Sequence, residues 1–269
     1  MTPPLYRIRG LRVAFPDRSR KPLFGAAPMV EALKGVDLDI ARGAALGLVG
    51  ESGSGKTTIG RAMLRLIRPT AGELVYDGVD IADWDEDRLH PLRARLQMIF
   101  QDPQSSLNPR HTIGAILRGA LTLHGLDASE PVLASILDRV GLPSSALKRY
   151  PHQLSGGQRQ RVGIARAIAL KPDFVVADEI VSGLDVSTQA QVIDLLKGLR
   201  EEMGLALAFI SHDLSVIRHI CSRIVIMKAG EIVEEGDTAE TFRSPKTGFT
   251  KTLITAIPLP DPDPAWLES

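Results

Sequence analysis

Gly50-Glu51-Ser52-Gly53-Ser54-Gly55-Lys56-Thr57 fits the pattern G-x-x-x-x-G-K-[ST]. Its glycines let the backbone curl so that several N–H groups face a single phosphate. The flanks agree with that reading. Leu46-Gly47-Leu48-Val49 is a short apolar run expected to be a buried strand. Ile59, Met63, Leu66 and Ile67 are spaced for one face of a helix that stops before Pro69. In this setting the helix N-terminus adds partial positive charge to the phosphate cradle. Lys56 is placed to reach the β- and γ-phosphates of a nucleotide, and the Thr57 hydroxyl to ligate Mg²⁺.

On the N-terminal side, residues 5–15 alternate like a half-buried strand, and Val36, Leu38 and Ile40 alternate with acids as a second. Residues 16–30 between them are rich in Pro, Gly, Arg and Lys and read as a loop. Leu74-Val75-Tyr76 before Asp77-Gly78 predicts a strand and a tight turn. Further on, Leu96 to Phe100, Phe174 to Ala177, Leu205 to Ile210 and Ile224 to Met227 are apolar runs expected to be strands. Lys228-Ala229-Gly230-Glu231 reads as a hairpin turn. From Thr112 to Leu170 the period is mostly helical, with breaks at Gly125, Gly141-Leu142-Pro143 and Tyr150-Pro151. Val192, Leu195, Leu196 and Leu199 mark another helix, ending at Gly204. Strands alternating with helices imply an α/β fold around a largely parallel sheet, with an antiparallel element beside it. After Ser244 the pattern fades, and Pro258 to Pro264 reads as a loose tail.

Three further clusters carry chemistry. Asp178-Glu179 closes the apolar run from Phe174, at a strand's carboxyl end, where a Mg²⁺-ligating carboxylate and a water-activating acid belong. Ser211-His212-Asp213 closes another such run, so His212 could reach a γ-phosphate. Leu154-Ser155-Gly156-Gly157-Gln158 opens a helix with a serine and two glycines, a second anion cradle. One chain already has a cradle for its own nucleotide. A second implies a dimer in which each copy closes over the other's ATP.

Composition narrows the classes. The 269 residues are 44% hydrophobic, enough for a core. Lys+Arg and Asp+Glu both total 32, a formal net charge of zero, which argues against a general nucleic-acid binder. Cys221 is the one cysteine, so neither an intrachain disulfide nor a cysteine cluster can form, and a reducing compartment is suited. The start, Met1-Thr2-Pro3-Pro4, has no apolar signal region, and no apolar run approaches the roughly 18 residues that span a bilayer. A chain working at a membrane would then dock on something embedded in it.

Together these stretches resemble the ATP-binding subunits of ABC transporters over about residues 5–257. The Walker A loop lies at 50–57, the Q-loop glutamine at Gln101, the signature at Leu154 to Gln158 and Walker B at Phe174 to Glu179. Ser182-Gly183-Leu184-Asp185 resembles the D-loop, and His212 the switch histidine. The resemblance implies a P-loop NTPase (RecA-like) α/β core, about 5–100 and 171–243. It also implies an antiparallel β-subdomain, an inserted helical subdomain at about 101–170, and a C-terminal extension at 244–269.

For ATP it implies contacts from Phe15 under the adenine and from Gly50, Glu51, Ser52, Gly53, Ser54, Gly55, Lys56, Thr57 and Thr58 around the phosphates. Gln101, Asp178 and Asp185 join them, with Ser155, Gly156, Gly157 and Gln158 supplied by the facing subunit. Thr57, Gln101 and Asp178 would hold Mg²⁺; Glu179, His212 and Lys56 would be catalytic. Partners would be a homologous ATPase subunit, identical or a second chain, two membrane permeases and, indirectly, an extracytoplasmic binding protein. The place of work would be the cytoplasmic face of the plasma membrane, and no nucleic acid is expected.

Phe100-Gln101-Asp102-Pro103, Ser105-Ser106-Leu107-Asn108-Pro109 and Arg149-Tyr150-Pro151-His152 look like the oligopeptide/dipeptide/nickel uptake group. Leu23-Phe24-Gly25 resembles the second of the two ATPases such importers carry. Some relatives hold an iron–sulfur cluster in the C-terminal extension, which Cys221 cannot build alone. Two positions depart from the usual pattern: Ile180 stands where proline is common and Gly183 where alanine is common. The competing readings are a soluble ABC ATPase acting on nucleic acid or ribosomes, and a regulatory subunit that binds ATP without cleaving it.

Overall fold

The computed structural model describes residues 3–17, 27–102 and 106–256. The readings of Leu23-Phe24-Gly25, of Pro103 and Ser105, and of Pro258 to Pro264 lie outside the described residues. The chain divides into two compact units, one of Met1–Asp83 with Phe209–Ser269, the other Trp84–Ala208.

The first unit opens with β1 (Tyr6–Pro16), antiparallel to β2 (Met29–Ile40). The second strand begins well before Val36, inside the stretch expected to be loop, because Phe15 and Pro16 extend the ladder to Val30 and Met29. Both of those side chains are exposed, so no burial alternation betrays the strand. β3 (Ala45–Val49) has every residue buried and leads through the glycine loop into α1 (Lys56–Met63). That helix ends earlier than the apolar spacing predicts. Arg65 takes a left-handed φ of 52° and its Nε donates to the Ile81 carbonyl at 2.8 Å, turning the chain away and leaving Leu66 exposed. β4 (Ala71–Tyr76) pairs with the other side of β1 and with β5 (Val79–Asp80) across a turn in which Asp77 and Gly78 both have positive φ, as a tight hairpin needs. The sheet order is β2-β1-β4-β5. The buried Tyr6 hydroxyl donates to the Met63 carbonyl at 2.8 Å, tying this sheet to the end of α1.

The second unit holds α2 (Glu86–Leu89), β6 (Leu96–Ile99), α3 (Ile113–Leu123), α4 (Glu130–Arg139) and α5 (Gly156–Ile168). The expected breaks separate these helices. β7 (Phe174–Asp178) runs parallel to β6, with Leu96 opposite Phe174 and Ile99 opposite Ala177. Parallel pairing in that register puts the residues after Ile99 and after Ala177 at the same end. α6 (Val186–Met203) follows, capped by Asp185 and ended by left-handed Gly204.

Along β8 (Ala206–Ile210) the chain returns to the first unit. There α7 (Leu214–Ile220) precedes β9 (Arg223–Lys228), which is parallel to β3 and antiparallel to β10 (Glu231–Asp237). α8 (Thr238–Arg243) and α9 (Gly248–Thr255) complete it. The last helix falls where the sequence pattern fades. It is held by one buried acid: Glu234 accepts hydrogen bonds from the Lys246 N–H (2.9 Å), the Thr247 N–H (3.0 Å) and the Thr250 hydroxyl (2.6 Å).

Candidate functional site

In the first unit the glycine loop has the shape the pattern requires. Gly50, Gly53 and Gly55 all have positive φ, and a Cβ on Gly50 would stand 2.2 Å from the Met227 carbonyl oxygen. Glycine is therefore obligatory there on two counts. Glu51, Ser52 and Gly53 are exposed, whereas Ser54 and Lys56 are buried. Lys56 Nζ donates to the carbonyls of Gly50 (2.7 Å) and Glu51 (2.8 Å), so a cation lies at the mouth of the loop, held by the loop's own backbone. Thr57 and Thr58 follow Lys56 in the first turn of α1, half-buried.

The same unit contributes His212 and Phe15. The Ser211 N–H donates to the Leu48 carbonyl at 3.3 Å, two residues before Gly50. This bond carries the end of β8 to the exit of β3. Exposed His212 follows, and Asp213 then caps α7. Phe15, 40% exposed, presents its ring near the end of β1.

The second unit supplies the acids. Asp178 ends β7, only 5% exposed. Glu179 follows with φ 47°, an uncommon left-handed backbone for a non-glycine. Its carbonyl accepts both the Ser182 N–H (3.1 Å) and the Ser182 hydroxyl (2.8 Å), which close the turn. Parallel β6 and β7 bring Gln101 to the same end, and Gln101 Nε2 donates to Glu179 Oε2 at 3.2 Å.

The signature stretch is a capping box. Ser155 Oγ accepts from the Gln158 N–H (3.3 Å), and Gln158 Oε1 accepts from the Ser155 N–H (3.1 Å). Gly156 and Gly157 form the first turn of α5, and Gly157 lies against Thr188 at the start of α6. Asp185 accepts from the Thr188 N–H (3.0 Å) and from the hydroxyls of Ser187 (2.6 Å) and Thr188 (2.7 Å). The Ser187 hydroxyl leads these in holding the carboxyl well below the usual range. A cavity of about 320 Å³ has Gln101, Asp102, Gly156, Arg159, Ile180 and Gly183 in its wall. Both positions that depart from the usual pattern line it. Ile180 is buried, and Gly183 has φ 80°, a conformation in which alanine would be strained.

The expected site residues therefore fall into two groups: Phe15, 50–58 and His212 in the first unit, and Gln101, Ser155 to Gln158, Asp178, Glu179 and Asp185 in the second. The sequence reading missed Thr188, whose hydroxyl joins the Asp185 cap. A threonine three residues after an aspartate at a helix start is the signal that could have found it. As for a metal, the Thr57 hydroxyl, Gln101 amide oxygen and Asp178 carboxylate are hard oxygen donors of the kind Mg²⁺ takes alongside phosphate oxygens.

A family described as ABC transporter matches residues 33–182. Over 263 residues the chain is 48% identical to a Brucella ovis protein named for peptide import ATP binding, covering 97% of this chain and 80% of that relative. It is 46% identical over 263 residues to a glutathione import ATP-binding protein of Salmonella paratyphi A, covering 96% of this chain and 42% of the longer relative. Among solved structures, a dimeric ATP-binding cassette in a post-hydrolysis state with ADP and Pi superposes with a TM-score of 0.75 at 30% identity. That match covers 87% of this chain and 98% of the cassette. A dimeric bacterial ABC transporter cassette gives a TM-score of 0.75 at 31% identity, with the same coverage.

Proposed function

Because the chain belongs to the ABC transporter family, we propose that it is the ATP-hydrolysing subunit that energises a membrane importer for peptides or a related small solute. The observation that carries this is the loop after β3: three positive-φ glycines and a buried lysine held at its mouth. The cargo class is supported by the names of the relatives above.

In this reading Phe15 stacks on adenine, and Gly50 to Thr58 surround the phosphates. Lys56 exchanges its carbonyl partners for phosphate oxygens. Thr57, Gln101 and Asp178 would hold Mg²⁺, which supplies charge neutralisation on the β- and γ-phosphates when bound. Gln101 donates to Glu179 through Nε2, and its amide oxygen would be the atom available to the metal. Glu179 orients a water and accepts its proton as the oxygen attacks the γ-phosphorus in line; the bond from that phosphorus to the β–γ bridging oxygen breaks, ADP leaves with that oxygen, and His212 donates to the γ-phosphate. Ser155, Gly156, Gly157 and Gln158 close over the nucleotide of a facing subunit, and Asp185 fixes the turn beside them.

The working unit is thus a dimer, with an identical or homologous copy, on two permeases at the cytoplasmic face of the membrane. An extracytoplasmic binding protein delivers the solute. The dimeric cassettes among the similar structures support this assembly. Among the described residues no helix is long and apolar enough to cross a membrane. The helical stretch 101–170 is the subdomain that meets them, inserted in a nucleotide core of 5–100 and 171–243. Glu179→Gln tests the chemistry. It should bind ATP with unchanged affinity while phosphate release falls by about a hundredfold or more. Turnover at the wild-type rate would remove Glu179 from the mechanism.

A further inference from the structure

Arg166 lies in the last turn of α5, on the helix that begins with the signature glycines. Its Nη1 donates to the Ser106 carbonyl at 2.6 Å, and its guanidinium carbon stands 5.8 Å from the centre of the Phe100 ring. Those contacts sit on either side of the residues that matter for Glu179. Phe100 immediately precedes Gln101. The Ser106 N–H donates to the Asp102 carbonyl at 3.2 Å, so Ser106 is fastened to the residue after Gln101. One guanidinium therefore bonds one side of the loop base and lies over the ring at its other side, and Gln101 reaches Glu179 from between the two contacts. Arg159, two turns earlier on the same face of α5, lines the cavity that Gln101 and Asp102 also line.

An arginine suits this place better than a lysine. Its planar fork can stack on a ring and donate to a carbonyl at once, whereas an ammonium has no flat face. The side chain is half-buried, and that desolvation lowers the guanidinium pKa, so its contacts are screened less than they would be at an open surface.

We infer that Arg166 is a positioning residue for ATP hydrolysis: it fixes the loop base so that Gln101 meets Glu179, and it ties that loop to the signature helix. This rests on the assignment of Gln101 and Glu179 to the γ-phosphate end of the site. A displacement of the loop would reach the cradle at Ser155 to Gly157 through a single helix, and the reverse holds equally.

Two variants test it, Arg166→Lys and Phe100→Leu, the second leaving the half-buried cation in place should the first fold poorly. With the purified chain and Mg-ATP, well below each variant's melting transition, phosphate release should fall about tenfold or more, as misplacement of a catalytic pair demands. ATP affinity should stay within about twofold of wild type, since the phosphate loop is untouched. Hydrogen exchange at the Ser106 amide should speed up while β7 keeps its protection. The double variant should be no slower than the worse single one, because both remove the same grip. Wild-type turnover in both variants, or an unaltered Ser106 amide, would overturn the inference and leave the ATPase assignment standing. If the unaltered chain released no phosphate, the functional reading would fail, and the Ser106 exchange would still decide whether Arg166 holds the loop.

Discussion

The contact between Gly157 and Thr188 can be tested by adding one methyl group and then removing another. A Cβ at Gly157 would stand 2.4 Å from Thr188 Cγ2, about an ångström inside ordinary contact. Thr188 cannot simply turn aside, because its hydroxyl donates to Asp185 at 2.7 Å and its N–H to the same carboxylate at 3.0 Å. Gly157→Ala must therefore shift one helix start against the other or break the Thr188 hydroxyl bond. Overpacking of this kind costs about 1–3 kcal/mol. The gain from replacing a helical glycine offsets at most about 1 kcal/mol. The net expectation is a loss of about 1–2 kcal/mol, or roughly 2–8 °C in melting temperature for a chain of this size. Thr188→Ser removes the offending methyl yet keeps the hydroxyl for Asp185. In that background Gly157→Ala should cost nothing or stabilise slightly, a coupling of about 1–3 kcal/mol. Urea denaturation of the four proteins in the cycle measures it. A Gly157→Ala penalty that persists undiminished in the Thr188→Ser background would refute the steric account.

Other outcomes follow from the same contacts. Lys56→Ala removes a cation and its bonds to the Gly50 and Glu51 carbonyls, so nucleotide affinity should fall about ten- to a hundredfold in a titration. Glu234→Gln should release α9, with a stability loss of about 2 kcal/mol and faster amide exchange at Lys246 and Thr247. The pH dependence of the same latch has a definite sign. Burial raises the Glu234 pKa, but the hydrogen bonds from Thr250, Lys246 and Thr247 together outweigh it, and the folded value lies below the ordinary one. The stabilisation is therefore complete above the ordinary glutamate range and lost only as pH falls through the depressed value. Exchange protection of α9 should be flat from neutral pH down to about pH 5 and decline in stronger acid. A decline centred near neutrality would contradict it.

What could be read from the chain and what could not divide along a physical line. β3, β7 and β8 are buried over their whole length, and burial on both faces forces a continuous apolar run that any reader can find. The phosphate loop is legible because a fixed chemistry demands fixed residue types at fixed spacing. The end of α1, the early start of β2 and the presence of α9 are set instead by partners distant in sequence: the Ile81 carbonyl for Arg65, β1 for Met29 and Val30, and Glu234 for Thr250. No local period records those.

Within the site the same line separates Glu179 as an acid from Glu179 as a strained residue. Its position after an apolar run is visible, whereas its left-handed backbone is not. Two hydrogen bonds from Ser182 hold its carbonyl in the turn, and Gln101 meets its carboxylate. A regular strand would have cost nothing and would have sent residue 179 to the alternate face of the pleat. The left-handed turn costs on the order of 1–2 kcal/mol and redirects the carboxylate toward Gln101. Strain of that size, placed at the acid proposed to handle the attacking water, links the geometry to the proposed function.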